Sequence, residues 1–257
     1  MIHSVSSYLK FLRTSTNTHG VHSPFVYDFI TECLYNKGPF SSSRLKKYRL
    51  ALLSSKDQIK VRDFGAGSKV FTSDERSISA ITKTAGISLK RAGLLSEMMK
   101  YFKPENVLEI GTSLGVATAA MSLGNPNSNI VSLEGCEETA KVAKKYFQKF
   151  DLNNIELIVG EFKDTLPTAL KNKTFDLIFF DGNHQKEATI DYFEQCLLYK
   201  KNDTVFIFDD IHWNREMEAA WDFIINNRKV TISIDTYQWG IVFFRKEQPK
   251  EHYIIRV

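Results

Sequence analysis

Five acidic residues between positions 109 and 210 stand where apolar runs end. Glu109 lies in Val107-Leu108-Glu109-Ile110, and Glu134 follows Ile130-Val131-Ser132-Leu133. Asp181 follows Leu177-Ile178-Phe179-Phe180, and the pair Asp209-Asp210 follows Val205-Phe206-Ile207-Phe208. Short, nearly continuous apolar runs read as strands buried on both faces. If these strands lie parallel, their acids gather along one sheet edge and repel one another unless a cation joins them. The chemistry this pattern points to is the holding of a positively charged ligand or a metal ion.

The segment Glu109-Ile110-Gly111-Thr112-Ser113-Leu114-Gly115 adds detail. Glycine at a strand-to-helix turn lets the backbone approach a ligand, and the following helix start offers N–H donors to a carboxylate. With Glu109 to meet an ammonium, the turn suits an amino-acid group such as the methionine end of S-adenosylmethionine, with Gly111, Thr112 and Gly115 as contacts. The bland alternative is a tight turn with no ligand. A dinucleotide pattern would need glycine where Ser113 stands, so a nicotinamide cofactor ranks lower. Glu134, about 20 residues beyond the turn, is placed to bind a ribose diol. The next loop, Gly160-Glu161-Phe162, lies where an adenine ring would sit, with Phe162 to stack on it; core packing is the other use of that ring.

Asp181, Asp209 and Asp210, with Asn183 nearby, form an oxygen-rich set that suits Mg²⁺ or Ca²⁺, and His184 or His212 would shift it towards Mn²⁺. The competing reading is that Asp209 or Asp210 caps the next helix. Trp213 and Trp239 fall near the same edge, as pocket lining or as core. Lys90-Arg91 opens the helix before the first strand, facing either the site or solvent. His19 and His22 lack partner ligands and read as surface or helix-entry residues.

The elements that must position these residues alternate. Strands are predicted at 106–110, 130–133, 155–159, 175–180 and 205–208. Helices follow at 114–123, 137–150, 163–170, 185–199 and 213–227. Runs at 230–234 and 241–245 read as a closing hairpin. This order predicts an α/β, Rossmann-like, seven-stranded sheet of five parallel βα units plus a C-terminal antiparallel hairpin. Residues 1–88 lack that alternation and carry helices at 25–35, after Ser23-Pro24, and at 45–53. They read as a helical, substrate-covering appendage to a cofactor-binding domain at 89–257. Asp63-Phe64-Gly65-Ala66-Gly67-Ser68 imitates a second cofactor loop, but no apolar helix follows it. It reads as a Gly-rich turn over the substrate mouth.

The 257 residues, 43% hydrophobic and 25% charged, are those of a folded globular chain. A net charge of +4 permits an anionic partner without indicating nucleic acid. Three scattered cysteines without a CxxC pair fit a reducing compartment. No apolar stretch approaches the ~20 residues that would span a bilayer. A cytoplasmic protein without membrane association is expected, and the aromatic-rich N-terminal helices leave a homodimer open.

Taken in order and spacing, the motifs from residue 89 to 245 resemble the class I S-adenosylmethionine-dependent methyltransferases, in particular the catechol O-methyltransferase-like branch. The resemblance implies that Glu109 and Gly111 bind the methionine moiety, Glu134 the ribose, and Asp181, Asp209 and Asp210 a divalent metal. It implies O-methylation of a hydroxylated small molecule. An RNA-modifying methyltransferase, or a non-catalytic module of the same fold, is the alternative. Three departures stand out. Asp210 replaces the branch's usual Asn, Ala117 replaces a hydroxyl residue, and His184 stands where the branch carries a catalytic Lys. Histidine can take a proton from a hydroxyl near neutral pH, so His184 becomes the candidate general base, with Asp181 beside it.

Overall fold

The computed structural model describes residues 2–35, 42–62, 73–171 and 173–257, and the Gly-rich segment at 63–68 lies outside them. The sheet strands are β3 (Asn106–Ile110), β4 (Asn129–Glu134), β5 (Ile155–Val159), β6 (Leu177–Phe180), β7 (Val205–Asp209), β8 (Ile232–Asp235), β9 (Trp239–Phe243) and β10 (Glu251–Ile254). They form an eight-stranded sheet in the order β10-β8-β9-β7-β6-β3-β4-β5. A separate antiparallel pair, β1 (Gln58–Lys60) and β2 (Glu75–Ser77), precedes it.

Five parallel βα units and a closing antiparallel pair are as expected, with β9 inserted between β7 and β8. The expected count of seven strands is corrected to eight. The extra strand, β10, lies parallel to β8 with Tyr253 opposite Ile234. It is half-buried and follows the polar stretch Lys246-Glu247-Gln248-Pro249-Lys250, so its sequence lacks the apolar run that marks a central strand.

Strand alternation decides which face each acid serves. Val107, Phe179, Ile207 and Ile241 pack on one face, while Leu108, Ile178, Phe206 and Val242 pack on the other. Glu109, Asp181 and Asp209 share the parity of the first set. That face is covered by α5 (Leu89–Phe102), α6 (Val116–Gly124) and α7 (Glu137–Lys149). The opposite face carries α8 (Phe162–Leu170), α9 (Lys186–Leu197) and α10 (Arg215–Asn226).

The N-terminal region holds α1 (Ile2–Thr14), α2 (Pro24–Phe29), α3 (Ser43–Leu53) and α4 (Ile78–Thr84). Ser23 caps α2 ahead of Pro24 as its sequence predicts, and α2 widens into a π-helical turn at Ile30–Leu34. Val26, Phe29, Leu45, Tyr48 and Ile81 join the same buried cluster as Val107 and Phe243. Helices α2, α3 and α4 therefore pack into the core on one face of the sheet. Helix α1 was not foreseen, because its run Ile-His-Ser-Val-Ser-Ser-Tyr-Leu-Lys has weak helix formers at half its positions. No helix among the described residues is long and apolar enough to cross a membrane.

Candidate functional site

The carboxyl ends of β3, β4, β6 and β7 bring Glu109, Glu134, Asp181 and Asp209 to one edge, as the strand register requires. Glu109 is fully buried. Its Oε2 accepts hydrogen bonds from Thr118 and Ser132, both at 2.5 Å, and its Oε1 is buried with no partner. Burial pushes this carboxyl up to about 7, against the lowering effect of the two hydroxyls.

Gly111 takes φ +107°, and a Cβ there would lie 2.3 Å from the carbonyl oxygen of Asp181. The glycine is needed because the ends of β3 and β6 close on each other. Gly111→Ala is expected to lower folding stability by roughly 3 kcal/mol, through the clash and the unfavourable φ together. A denaturant melt checks this, and an unchanged midpoint would show that the turn can relax. Gly115 is likewise fixed by packing: its φ is +73° and a Cβ would meet the Phe147 ring at 2.4 Å. Its N–H donates to Thr112 O at 2.8 Å. Thr112 is buried, with its hydroxyl 2.5 Å from Ser132 Oγ and 3.1 Å from Leu133 O. Two residues expected to touch a cofactor thus have their most evident partners within the fold.

Glu134 accepts from the N–H of Ser113 at 2.6 Å and of Cys136 at 2.8 Å. Burial raises its carboxyl nonetheless. Phe162 opens α8 and lies against Gly182, where a Cβ would meet its ring at 2.6 Å. It also meets Tyr192 edge-on. Its neighbour Glu161 turns outward to Lys163 at 2.8 Å.

Asp181 is raised well above the usual carboxylate range. Burial is the main cause, Arg91 opposes it, and the charges of Asp210, Glu109 and Glu134 add to it. Its Oδ1 lies 3.7 Å from His184 Nε2. Asn183 at φ +72° and His184 at φ +46° turn the backbone back towards the edge, as do Ser113 at +49° and Asp210 at +51°. Such conformations are unfavourable for residues with a Cβ and gather where a site must be shaped.

Asp209 and Asp210 do not cap α10, whose N-cap is Asn214. Asp209 instead forms an ion pair with the Arg91 guanidinium, and Asp210 lies 3.9 Å from the same group. Trp239, the register partner of Asp209, is buried beneath that guanidinium at 5.5 Å. Among the described residues, no three His, Cys, Asp or Glu side chains converge as a metal-ligand group. Sequence reasoning left Arg91 undecided between site and solvent. It is separated from Asp209 by 118 positions, and no local pattern connects them.

Next to this edge, His212 lies between two accepting carboxylates, with Nδ1 2.9 Å from Glu218 and Nε2 2.8 Å from Asp235. Ser7 of α1 reaches the same Glu218. Tyr237 stacks on His212, and Tyr8 meets Tyr237 edge-on. Burial alone would lower the imidazole, but the bonds and charges of Asp235 and Glu218 prevail and raise it above 6.5. Its contribution to stability is therefore complete below pH 6.5 and lost as pH climbs through the raised value. Hydrogen exchange of residues 5–14 is expected to quicken over that interval. In His212→Ala the buried Asp235 loses its cationic partner, a change of about 3 kcal/mol, and the pH step should vanish.

The comparisons with known proteins fall on the same edge. Residues 108–211 match the methyltransferase domain family. Catechol O-methyltransferase B of Danio rerio is 28% identical over 126 residues, covering 46% of this chain and 47% of that protein. The chain thus spans about half the length of this relative. The crystal structure of the methyltransferase PaMTH1 of Podospora anserina, bound to S-adenosylhomocysteine, superposes with a TM-score of 0.64 at 15% identity, covering 88% of this chain and 97% of that one. An O-methyltransferase of Bacillus cereus, also in complex with S-adenosylhomocysteine, gives 0.57 at 20% identity, covering 86% and 97%. Residues 108–211 thus match a methyltransferase domain, and the sheet that carries them shares the fold of these S-adenosylhomocysteine-bound methyltransferase structures.

Proposed function

We propose that the chain transfers a methyl group from S-adenosylmethionine to a hydroxyl oxygen of a small molecule. The observation that carries this reading is a set of three buried or half-buried carboxylates, Glu109, Glu134 and Asp181, each raised by burial around one turn. The unpartnered Oε1 of Glu109 marks the same place. Such a site calls for a cationic ligand. S-adenosylmethionine, with an ammonium and a sulfonium, supplies two positive charges and an activated methyl group. The residues present fit it: Glu109, with its free Oε1, would hold the ammonium and Glu134 the ribose, while Phe162 and Glu161 would border the base.

The chain's own part in the reaction is to hold the acceptor hydroxyl in line and to remove its proton. His184, held beside Asp181, takes that proton as the new O–C bond forms and the C–S⁺ bond breaks. Tyr237, Tyr8 and Trp213 lie on the adjoining elements and favour an aromatic acceptor. Asp181, Asp209 and Asp210 do not fit a divalent cation as they stand, because the guanidinium of Arg91 is already seated against Asp209 and beside Asp210. No step is routed through a metal.

Calorimetric titration of the full chain with S-adenosylhomocysteine tests this reading. One molecule bound per chain is expected, and Glu134→Ala should weaken binding about tenfold or more. Absence of any heat or competition would remove the proposal.

A further inference from the structure

We infer that the Arg91 guanidinium is the resident cation of the acidic edge, seated against Asp209 and beside Asp210 in the place that the sequence pattern assigns to a divalent metal. The inference rests on the reading of this edge as the methyl-transfer site. Three observations lead to it. First, Asp209 has its Oδ1 committed twice, to Arg91 and to the N–H of Asp210 at 2.8 Å. With both lone pairs of that oxygen occupied, a metal could take it only by displacing one of these donors. Second, Asp210 is turned back by its φ of +51° so that its carboxylate lies 3.9 Å from the second guanidinium nitrogen. One planar, two-armed cation spans both aspartates, a geometry that guanidinium suits and a lysine ammonium does not.

Third, Arg91 stands in the first turn of α5, where its N–H donates to the Ser88 cap at 3.3 Å. The helix dipole disfavours a cation at that end, so the position is held by what the side chain reaches. It reaches the two aspartates on one side and the Trp239 ring on the other. Its side chain is only 20% exposed. The other ionisable groups facing this place are Asp181 and, beyond it, His184. A divalent ion entering here would meet a fixed positive charge at van der Waals range in a site with little water to screen it.

Arg91 is thus a positioning residue: it fixes Asp209 and Asp210 and balances their charge without offering an exchangeable coordination place. The test is Mn²⁺ binding, followed by electron paramagnetic resonance, on the full chain, with S-adenosylhomocysteine titrated in parallel. Wild type is expected to show no saturable Mn²⁺ site below about 1 mM. Arg91→Ala is expected to gain one, at least about tenfold tighter, as the freed carboxylates collect the ion. A wild-type site below that concentration that Asp209→Asn abolishes would overturn the inference. So would a folded Arg91→Ala that gains no Mn²⁺. Should Arg91→Ala fail to fold, wild type compared with Asp209→Asn still decides. The S-adenosylhomocysteine titration reports separately on the methyltransferase reading: binding unaffected by EDTA is expected, and its absence overturns that reading while the Mn²⁺ result stands by itself.

Discussion

S-adenosylhomocysteine affinity is expected to fall at least about tenfold for each pH unit below 7, and Glu109→Gln is expected to remove one proton's worth of that slope. The empty protein holds Glu109 protonated up to about 7 because the carboxyl is fully buried. An ammonium placed before Oε1 requires the ionised form. Below that pH, binding must expel a proton, at 1.36 kcal/mol per unit, which is the tenfold factor. Above it the affinity levels off. Glu134 and Asp181, both raised as well, add to the wild-type slope, so the difference between wild type and variant is the informative quantity. Stability moves in the opposite sense. A carboxyl raised from 4.5 to about 7 gives its full contribution below pH 4.5 and loses it as pH rises towards 7. Over that interval Glu109→Gln should gain about 3 kcal/mol relative to wild type. A variant that becomes relatively more stable while binding less well identifies a group kept for a ligand rather than for the fold. Parallel pH curves in urea melts and in calorimetry would show that Glu109 is a structural acid only.

The second large effect falls on turnover. His184→Ala is expected to lower kcat about a hundredfold with a small-molecule hydroxyl acceptor, and to leave S-adenosylhomocysteine affinity nearly unchanged. The imidazole is held beside Asp181 by two successive residues at positive φ. Steady-state kinetics beside a binding titration separates the two outcomes. Equal loss of kcat and of affinity would mean that the 182–184 turn shapes the cofactor cleft instead of moving a proton.

Much of this site could be read along the chain. The runs Val107-Leu108, Ile130-Val131, Leu177-Phe180 and Val205-Phe208 are central strands because burial on both faces demands apolar side chains at every position. An acid at the end of such a run has nowhere to go but the sheet edge. Gly111 was legible for a related reason, since the turn from β3 tolerates no side chain. For Thr112 and Gly115, read towards the ligand along the chain, the fold adds a packing role: Thr112 bonds Ser132 and Leu133, and Phe147 leaves no room for a Cβ at Gly115. Those neighbours come from β4 and α7, which no local pattern could supply.

By itself, then, the sequence determined the βα order, the edge on which Glu109, Glu134, Asp181, Asp209 and Asp210 meet, and the turn that faces them. These follow from hydrophobic period and strand polarity, which are written within a few consecutive residues. Tertiary structure alone decided which carboxylates already own a cation and which remain open to a ligand. Arg91 reaches Asp209 across 118 positions, and Ser7 reaches Glu218 across 211. A charge's partner is set by distance in space, and side chains so far apart in the chain become neighbours only when helices and sheet have packed.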